Sequence, residues 1–280
     1  MTTKLFSLLA LSFLGALLIA VPVQAEPLDK FSGQKGSINI AGGTAHIPVM
    51  TGAARRIMDK NPDISITVTG GGSGVGVQQV GEGLVQIGNT GRPLKEGEIS
   101  KYGLVSFPFA IDGVAVVVNP KNKVGEMSKA QLKDVFSGKI TNWKDLGGDD
   151  AVINLYGRED GSGTREVFEE KALDKETSAA SANVVNSNGA MKTAIGQDER
   201  AIGYVGIGHL DRNVKGLTLD GMVPSQENAA DGTYKVTRLL YMNTKGEPGG
   251  LLKDFIEYIY TDDGTEIIKA SGYIPTGHQN

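Results

Sequence analysis

Three short stretches of this chain share one composition. Gly42-Gly43-Thr44, Gly70-Gly71-Gly72-Ser73-Gly74 and Asp160-Gly161-Ser162-Gly163-Thr164 each join glycines to a hydroxyl side chain. Each follows a strand-like run and precedes a stretch with helical spacing, so each reads as the turn where a strand gives way to a helix. A helix start presents unpaired main-chain N–H groups and a partial positive charge, which favours anions. Glycine lets the backbone come close, and Ser or Thr adds an O–H donor. One such turn is an ordinary helix cap. Three in one chain, with Arg158 four residues before Ser162, point to an oxyanion held by N–H, O–H and guanidinium donors.

Other chemistries that use similar residues do not register. No turn ends in the Gly-Lys-Ser/Thr of a nucleotide P-loop. The glycines at 70–76 do not fit the dinucleotide fingerprint, and no suitably spaced acid follows. The nucleophile elbow G-x-S-x-G is absent, because Gly74 is followed by Val75. His46, His209 and His278 are scattered and there is no cysteine, so neither a metal site nor a cofactor is expected. His209 and His278 read as surface histidines.

The elements that must position these turns alternate. A strand at 37–40 leads into the first glycines, and a helix follows to Asn61-Pro62. A second strand, "ISITVTG", leads into the second turn and another helix, with a short strand at 85–88. The strongest apolar strand signal is 114–118. Ser128 caps the helix "KAQLKDVF". "INLYGRED" and "AIGYVGIG" are strands around the third turn, "YKVTRLLYMNT" is a late strand, and "LLKDFIEYIYTDDGTEIIKASG" is one helix or a pair. The segment "DGMVPSQENAADGTY" reads as an irregular polar connection. Strand and helix in alternation argue for an α/β fold with a largely parallel sheet.

Composition narrows the setting. The formal charge is −4 at pH 7, which gives no electrostatic footprint for nucleic acid or an anionic membrane. Aromatic residues make up 6% and there are 39 glycines, which favours backbone-lined sites over stacking clefts. Lys4, an apolar run over 5–20 and Val23-Gln24-Ala25 form the three parts of a secretory signal peptide, 1–25. The run is shorter than the roughly 20 residues that span a bilayer. The expected location is therefore the periplasm. Beyond Ala25 the chain exceeds the common single-core size of ~100–150 residues, so two lobes are expected.

"GREDGSGTREVFEE" resembles the signature of the phosphate-binding proteins of ABC importers, the PstS type. "TGGGSGVGVQQVGEGLVQIGNTGRP" resembles the second motif of that family, "PFAIDGVAVVVNP" its crossover strand, "AIGYVGIG" its return strand, and "FSGKITNWKDLGG" a further landmark. The resemblance runs from about 35 to 275. It implies a two-lobed, type II periplasmic binding protein with hinge strands and a ligand cleft between the lobes, divided as 26–113 plus 209–280 and 114–208. It also implies a role: capture of inorganic phosphate and delivery to the permease subunits of an importer, by a monomer with no catalytic residue.

Carried over by position, Arg158 pairs with the anion, and Ser162, Gly163 and Thr164 donate from a helix start. Ser73 donates from the second turn, while Thr44, Ala45 and His46 contribute from the first, partly through main-chain N–H. Thr90 and Arg92 lie beside the second motif. Asp112 takes the cleft floor, accepts the P–OH proton that sulfate lacks, and is kept ionised by Arg158 or Arg92. The chain departs from the family at Gly43, Ala45 and Gly91, where hydroxyls are usual, and His46 is atypical. Other oxyanions (arsenate, molybdate, tungstate, sulfate), a phosphatase-like enzyme and a sensor subunit stand as alternatives.

Overall fold

A computed structural model describes residues 26–277; the expected signal peptide at 1–25 and His278 lie outside them. In the first part of the chain β1 (Gly36–Gly42), α1 (Ile47–Lys60), β2 (Ile64–Gly71), α2 (Gly72–Gly81), β3 (Ile87–Thr90) and α3 (Glu96–Tyr102) lead to the long strand β4 (Leu104–Val118). Then come β5 (Glu126–Met127), α4 (Lys129–Phe136), β6 (Asn154–Arg158), α5 (Gly163–Lys171), β7 (Asn183–Val185), α6 (Asn188–Gln197) and β8 (Ala201–Gly206). The last part holds β9 (Lys215–Gly216), β10 (Thr218–Leu219), α7 (Gln226–Ala230), β11 (Thr237–Lys245), α8 (Gly250–Ile259), α9 (Asp262–Ala270) and β12 (Ile274–Pro275).

The helices follow local rules. In α1, Val49, Met50, Ala53, Ala54 and Ile57 are buried, the spacing of one apolar stripe, and Pro62 forces the stop at Asn61. Ser128 caps α4 and exchanges bonds with Gln131 in a capping box. The C-terminal helical stretch is a pair because Thr261 caps α9 through a bond from the Gly264 N–H.

The sheet runs β2-β1-β3-β11-β4-β8-β6-β7. Its ends are parallel (β1 with β2 and β3; β8 with β6; β6 with β7), and its middle is antiparallel, β3–β11–β4–β8. The expected largely parallel sheet is thus mixed. The first half of β4 pairs with β11 and its second half, from Val114, with β8.

Two separate apolar cores flank this crossing. One gathers Ile38, Ile40, Val49, Phe109, Leu240, Met242 and Phe255. The other gathers Val114–Val118, Phe136, Trp143, Phe168 and Tyr204. Val214, Leu217, Leu219, Ala229, Tyr234 and Val236 also join the second core. The sequence places 209–280 with 26–113, whereas these residues pack with the 114–208 core. The Tyr234 hydroxyl donates to the Val114 carbonyl at 2.8 Å, and the polar connection contains α7. Among the described residues no helix is long and apolar enough to cross a membrane.

Candidate functional site

The three turns meet where the two cores face each other. They wall a small, tight cavity together with Gly91 and Arg238. The walls lie at the C-terminal ends of β1, β2 and β6, where parallel strands deliver helix starts to a shared crevice.

From the third turn, Arg158 ends β6 almost wholly buried. Its main-chain N–H donates to the Tyr204 hydroxyl at 3.1 Å, and Tyr204 stacks on Phe168 with ring centroids 3.9 Å apart. The guanidinium is held from behind by Glu159, at 2.8 Å from both Nε and Nη2, and by the Val185 carbonyl. Nη1 is buried and has no protein partner. Ser162 caps α5, its Oγ accepting the Arg165 N–H.

From the second turn, Ser73 Oγ accepts the Gly91 N–H at 3.0 Å. From the first, Thr44 Oγ1 accepts two bonds from Asn188 on the opposite side, from its main-chain N–H and from Nδ2. The two sides also meet backbone to backbone, Gly74 N–H to Gly161 carbonyl at 3.0 Å. The cleft is closed.

Arg238, on β11, completes the wall and was not anticipated. Its Nε and Nη2 donate to one oxygen of Asp112 at 2.9 and 2.7 Å, and Nη1 donates to Thr164 Oγ1 at 2.9 Å. His46 is fully buried against Phe109. Burial first, and then the charge of Arg238, push its pKa down to about 3. It is therefore neutral at pH 7.

Residues 30–263 match the PBP superfamily domain. The phosphate-binding protein PstS of Bacillus subtilis is 42% identical over 86% of this chain and 81% of its own length. The chain belongs to the PstS family of phosphate-binding proteins. A Clostridium perfringens structure described as a phosphate ABC transporter substrate-binding protein with bound phosphate superposes with a TM-score of 0.81. It is 35% identical, over 86% of this chain and all of that one. An ABC-type phosphate transport receptor from Vibrio cholerae superposes at 0.68 with 34% identity, over 85% of this chain and 99% of its own.

Two of the departures from the PstS motifs, at Gly43 and Gly91, have a spatial cause. A Cβ at Gly43 would sit 2.6 Å from His46 Nδ1, and one at Gly91 would sit 2.7 Å from Arg238 Nη1. The room that hydroxyl-bearing side chains would need is filled by an imidazole and a guanidinium.

Of the expected residues, Thr44, Ala45, His46, Ser73, Arg158, Ser162, Gly163 and Thr164 line the cavity; Thr90, Arg92 and Asp112 do not. Thr90 Oγ1 donates to the Arg92 carbonyl and accepts from Asn243. Arg92 turns away to a bidentate pair with Glu98 at 2.8 Å and reaches Glu166 at 2.9 Å, because these carboxylates surround it. Asp112 stands behind Arg238, and that arginine, rather than Arg158 or Arg92, is its partner. Burial raises the Asp112 carboxyl, while Arg238 and the Ile207 and Gly208 N–H groups pull against that shift. His209, expected on the surface, is half-buried, and burial with Lys192 nearby pushes its pKa to about 4. Arg238 did leave a trace in the sequence: a charge inside the apolar strand "YKVTRLLYM" demands a buried partner, and Asp112 is the matching charge inside "PFAIDGVAVVV".

Proposed function

We propose that this chain binds inorganic phosphate in the closed cavity and delivers it to the permease of an ABC importer. The observation that carries the reading is the unpartnered Nη1 of buried Arg158, surrounded by hydroxyls whose oxygens already accept internal bonds and whose hydrogens point to no protein acceptor. Such a set is built for the oxygens of a small anion. Kinship with the PstS proteins supports the phosphate assignment and the partnership with membrane subunits.

The rest of the reading follows from that role. The protein is exported, works as a monomer, and acts by binding rather than by catalysis, as its PstS relatives' transport names suggest. The lobes divide at the β4–β11 crossing, as 26–113 plus 237–277 and 114–236, in line with the two cores. Opening and closing rotate one lobe against the other.

Calorimetric titration of ligand-stripped protein with phosphate, arsenate, sulfate and molybdate at pH 7 tests this. One-to-one saturable binding of phosphate is expected. Preference for sulfate or molybdate would replace the ligand, and no binding of any oxyanion would overturn the reading.

A further inference from the structure

Behind the three cavity turns stands a fourth strand-to-helix junction. β7 ends at Val185 and α6 begins at Asn188, with Ser187 capping the helix through a bond from the Ala190 N–H. Asn188 does not line the cavity. It is nonetheless fully buried, and both polar atoms of its side chain are engaged.

Those bonds fix which way the amide lies. The Gly206 main-chain N–H sits 3.1 Å from Oδ1. An N–H only donates, so the amide oxygen faces Gly206 and Nδ2 faces Thr44. Gly206 is itself held in place, because the next residue, Ile207, donates its N–H to Asp112 at 3.1 Å. The amide is thus anchored to the main chain that carries the Asp112–Arg238 pair.

Thr44 Oγ1 therefore meets two donors that cannot reverse, the Asn188 main-chain N–H at 3.2 Å and Nδ2 at 3.0 Å. A hydroxyl has two lone pairs and one hydrogen. With both lone pairs taken, the hydrogen must point elsewhere. Among the described residues no protein acceptor takes it, and Thr44 lines the cavity. The other cavity hydroxyls are held less firmly: Ser73, Ser162 and Thr164 each accept a single bond, from Gly91, Arg165 and Arg238. One lone pair stays open on each, and the hydroxyl keeps a choice of directions.

We propose that Asn188 is a positioning residue of the anion site: without lining the cavity, it makes the Thr44 hydroxyl a fixed donor aimed into it. The proposal rests on the phosphate-binding reading above. It assigns a role to the start of α6, where an ordinary helix cap would need only Ser187.

The test is calorimetry with phosphate at pH 7 on the ligand-stripped parent, Asn188→Ala, Asn188→Asp and Thr44→Val, and on each Asn188 variant combined with Thr44→Val. Asn188→Ala removes one of the two donors and frees the hydroxyl to rotate, so affinity should fall about tenfold. Asn188→Asp keeps an acceptor for Gly206 and places a second acceptor where Nδ2 stood. The Thr44 hydrogen should turn to that carboxylate, and the loss should be at least that of Thr44→Val. In the Thr44→Val background Asn188→Ala should cost no further affinity, and Asn188→Asp should cost clearly less than it does with Thr44 present. A residue that only supports the fold would lower the melting temperature and cut affinity equally in both backgrounds. Equal losses in the two backgrounds, or an Asn188→Ala protein that binds like the parent, overturn the proposal. If Asn188→Ala does not fold, the Asn188→Asp pair decides by the same comparison. A parent that binds no phosphate overturns the functional reading instead.

Discussion

Arg158 and Arg92 stand in similar places: each ends or closely follows a short strand and precedes a helix by a few residues. They do opposite things. Arg158 meets one carboxylate, Glu159, and keeps Nη1 unpartnered towards the cavity. Arg92 meets Glu98 and Glu166 and turns outward, tying α3 to α5 across the cleft, with Lys95 3.4 Å from the same Glu166. The two arginines differ in what surrounds them: two carboxylates draw Arg92 away, whereas Arg158 stays on the cavity wall.

The largest effect should come from the third arginine. Arg238→Ala leaves the buried Asp112 without its counter-charge, with only the Ile207 and Gly208 N–H groups as partners. Breaking such a pair costs about 3–5 kcal/mol, so urea unfolding should show a loss of that order; an unchanged midpoint would mean the pair contributes no stability. Arg158→Ala should act on binding. Removing one partner of a buried charge-assisted contact costs about 2–5 kcal/mol, a drop calorimetry with phosphate would register. Near-normal affinity would make Arg158 resemble Arg92 and erase the contrast. Ser162→Ala removes the cap of α5 and one cavity hydroxyl, for about 0.5–2 kcal/mol of stability, readable as a shifted melting temperature.

Arg92→Ala should leave phosphate affinity within about tenfold, since Arg92 lies off the cavity wall, while the lost tie between α3 and α5 makes stopped-flow release faster. A collapse of affinity would place Arg92 at the anion after all. The smallest effect concerns acid. Burial pushes the Glu98 carboxyl up, but Arg92 and the Lys95 N–H outweigh it and hold it below the ordinary glutamate range. A depressed carboxylate stabilises the fold above its unfolded pKa and loses that contribution as pH falls through the folded value. Stability should therefore drop below the usual glutamate range, and less so in Arg92→Ala.

The same contrast shows what was legible in the sequence. The three turns and their hydroxyls could be read because glycine, serine and threonine at a strand-to-helix junction are local signals. So could the cap at Ser128 and the end of α1 at Asn61. The pairing of Asp112 with Arg238 joins residues 126 positions apart, and no local pattern encodes that register. The antiparallel centre of the sheet was hidden for the same reason: β4 and β11 come from distant parts of the chain. Segment 220–234 reads as a polar connection because its buried residues, Pro224, Ala229 and Tyr234, are too few to make a periodic stripe. Arg92 misled because its neighbours in the motif are cavity residues, whereas its fate was set by Glu166, far along the chain.

The oxygen of Thr44 ties two events together. It accepts both bonds from Asn188 across the closed cleft, and on the phosphate-binding reading its hydrogen is the part offered to the ligand. A hydroxyl that accepts hydrogen bonds becomes a more polarised and stronger donor. Closure thus sharpens the tool that grips the anion, and an anion gripping that hydrogen makes the oxygen a better acceptor for Asn188. By thermodynamic reciprocity the two steps reinforce each other by the same free energy, so a single side-chain atom makes occupancy legible to whatever senses the closed shape.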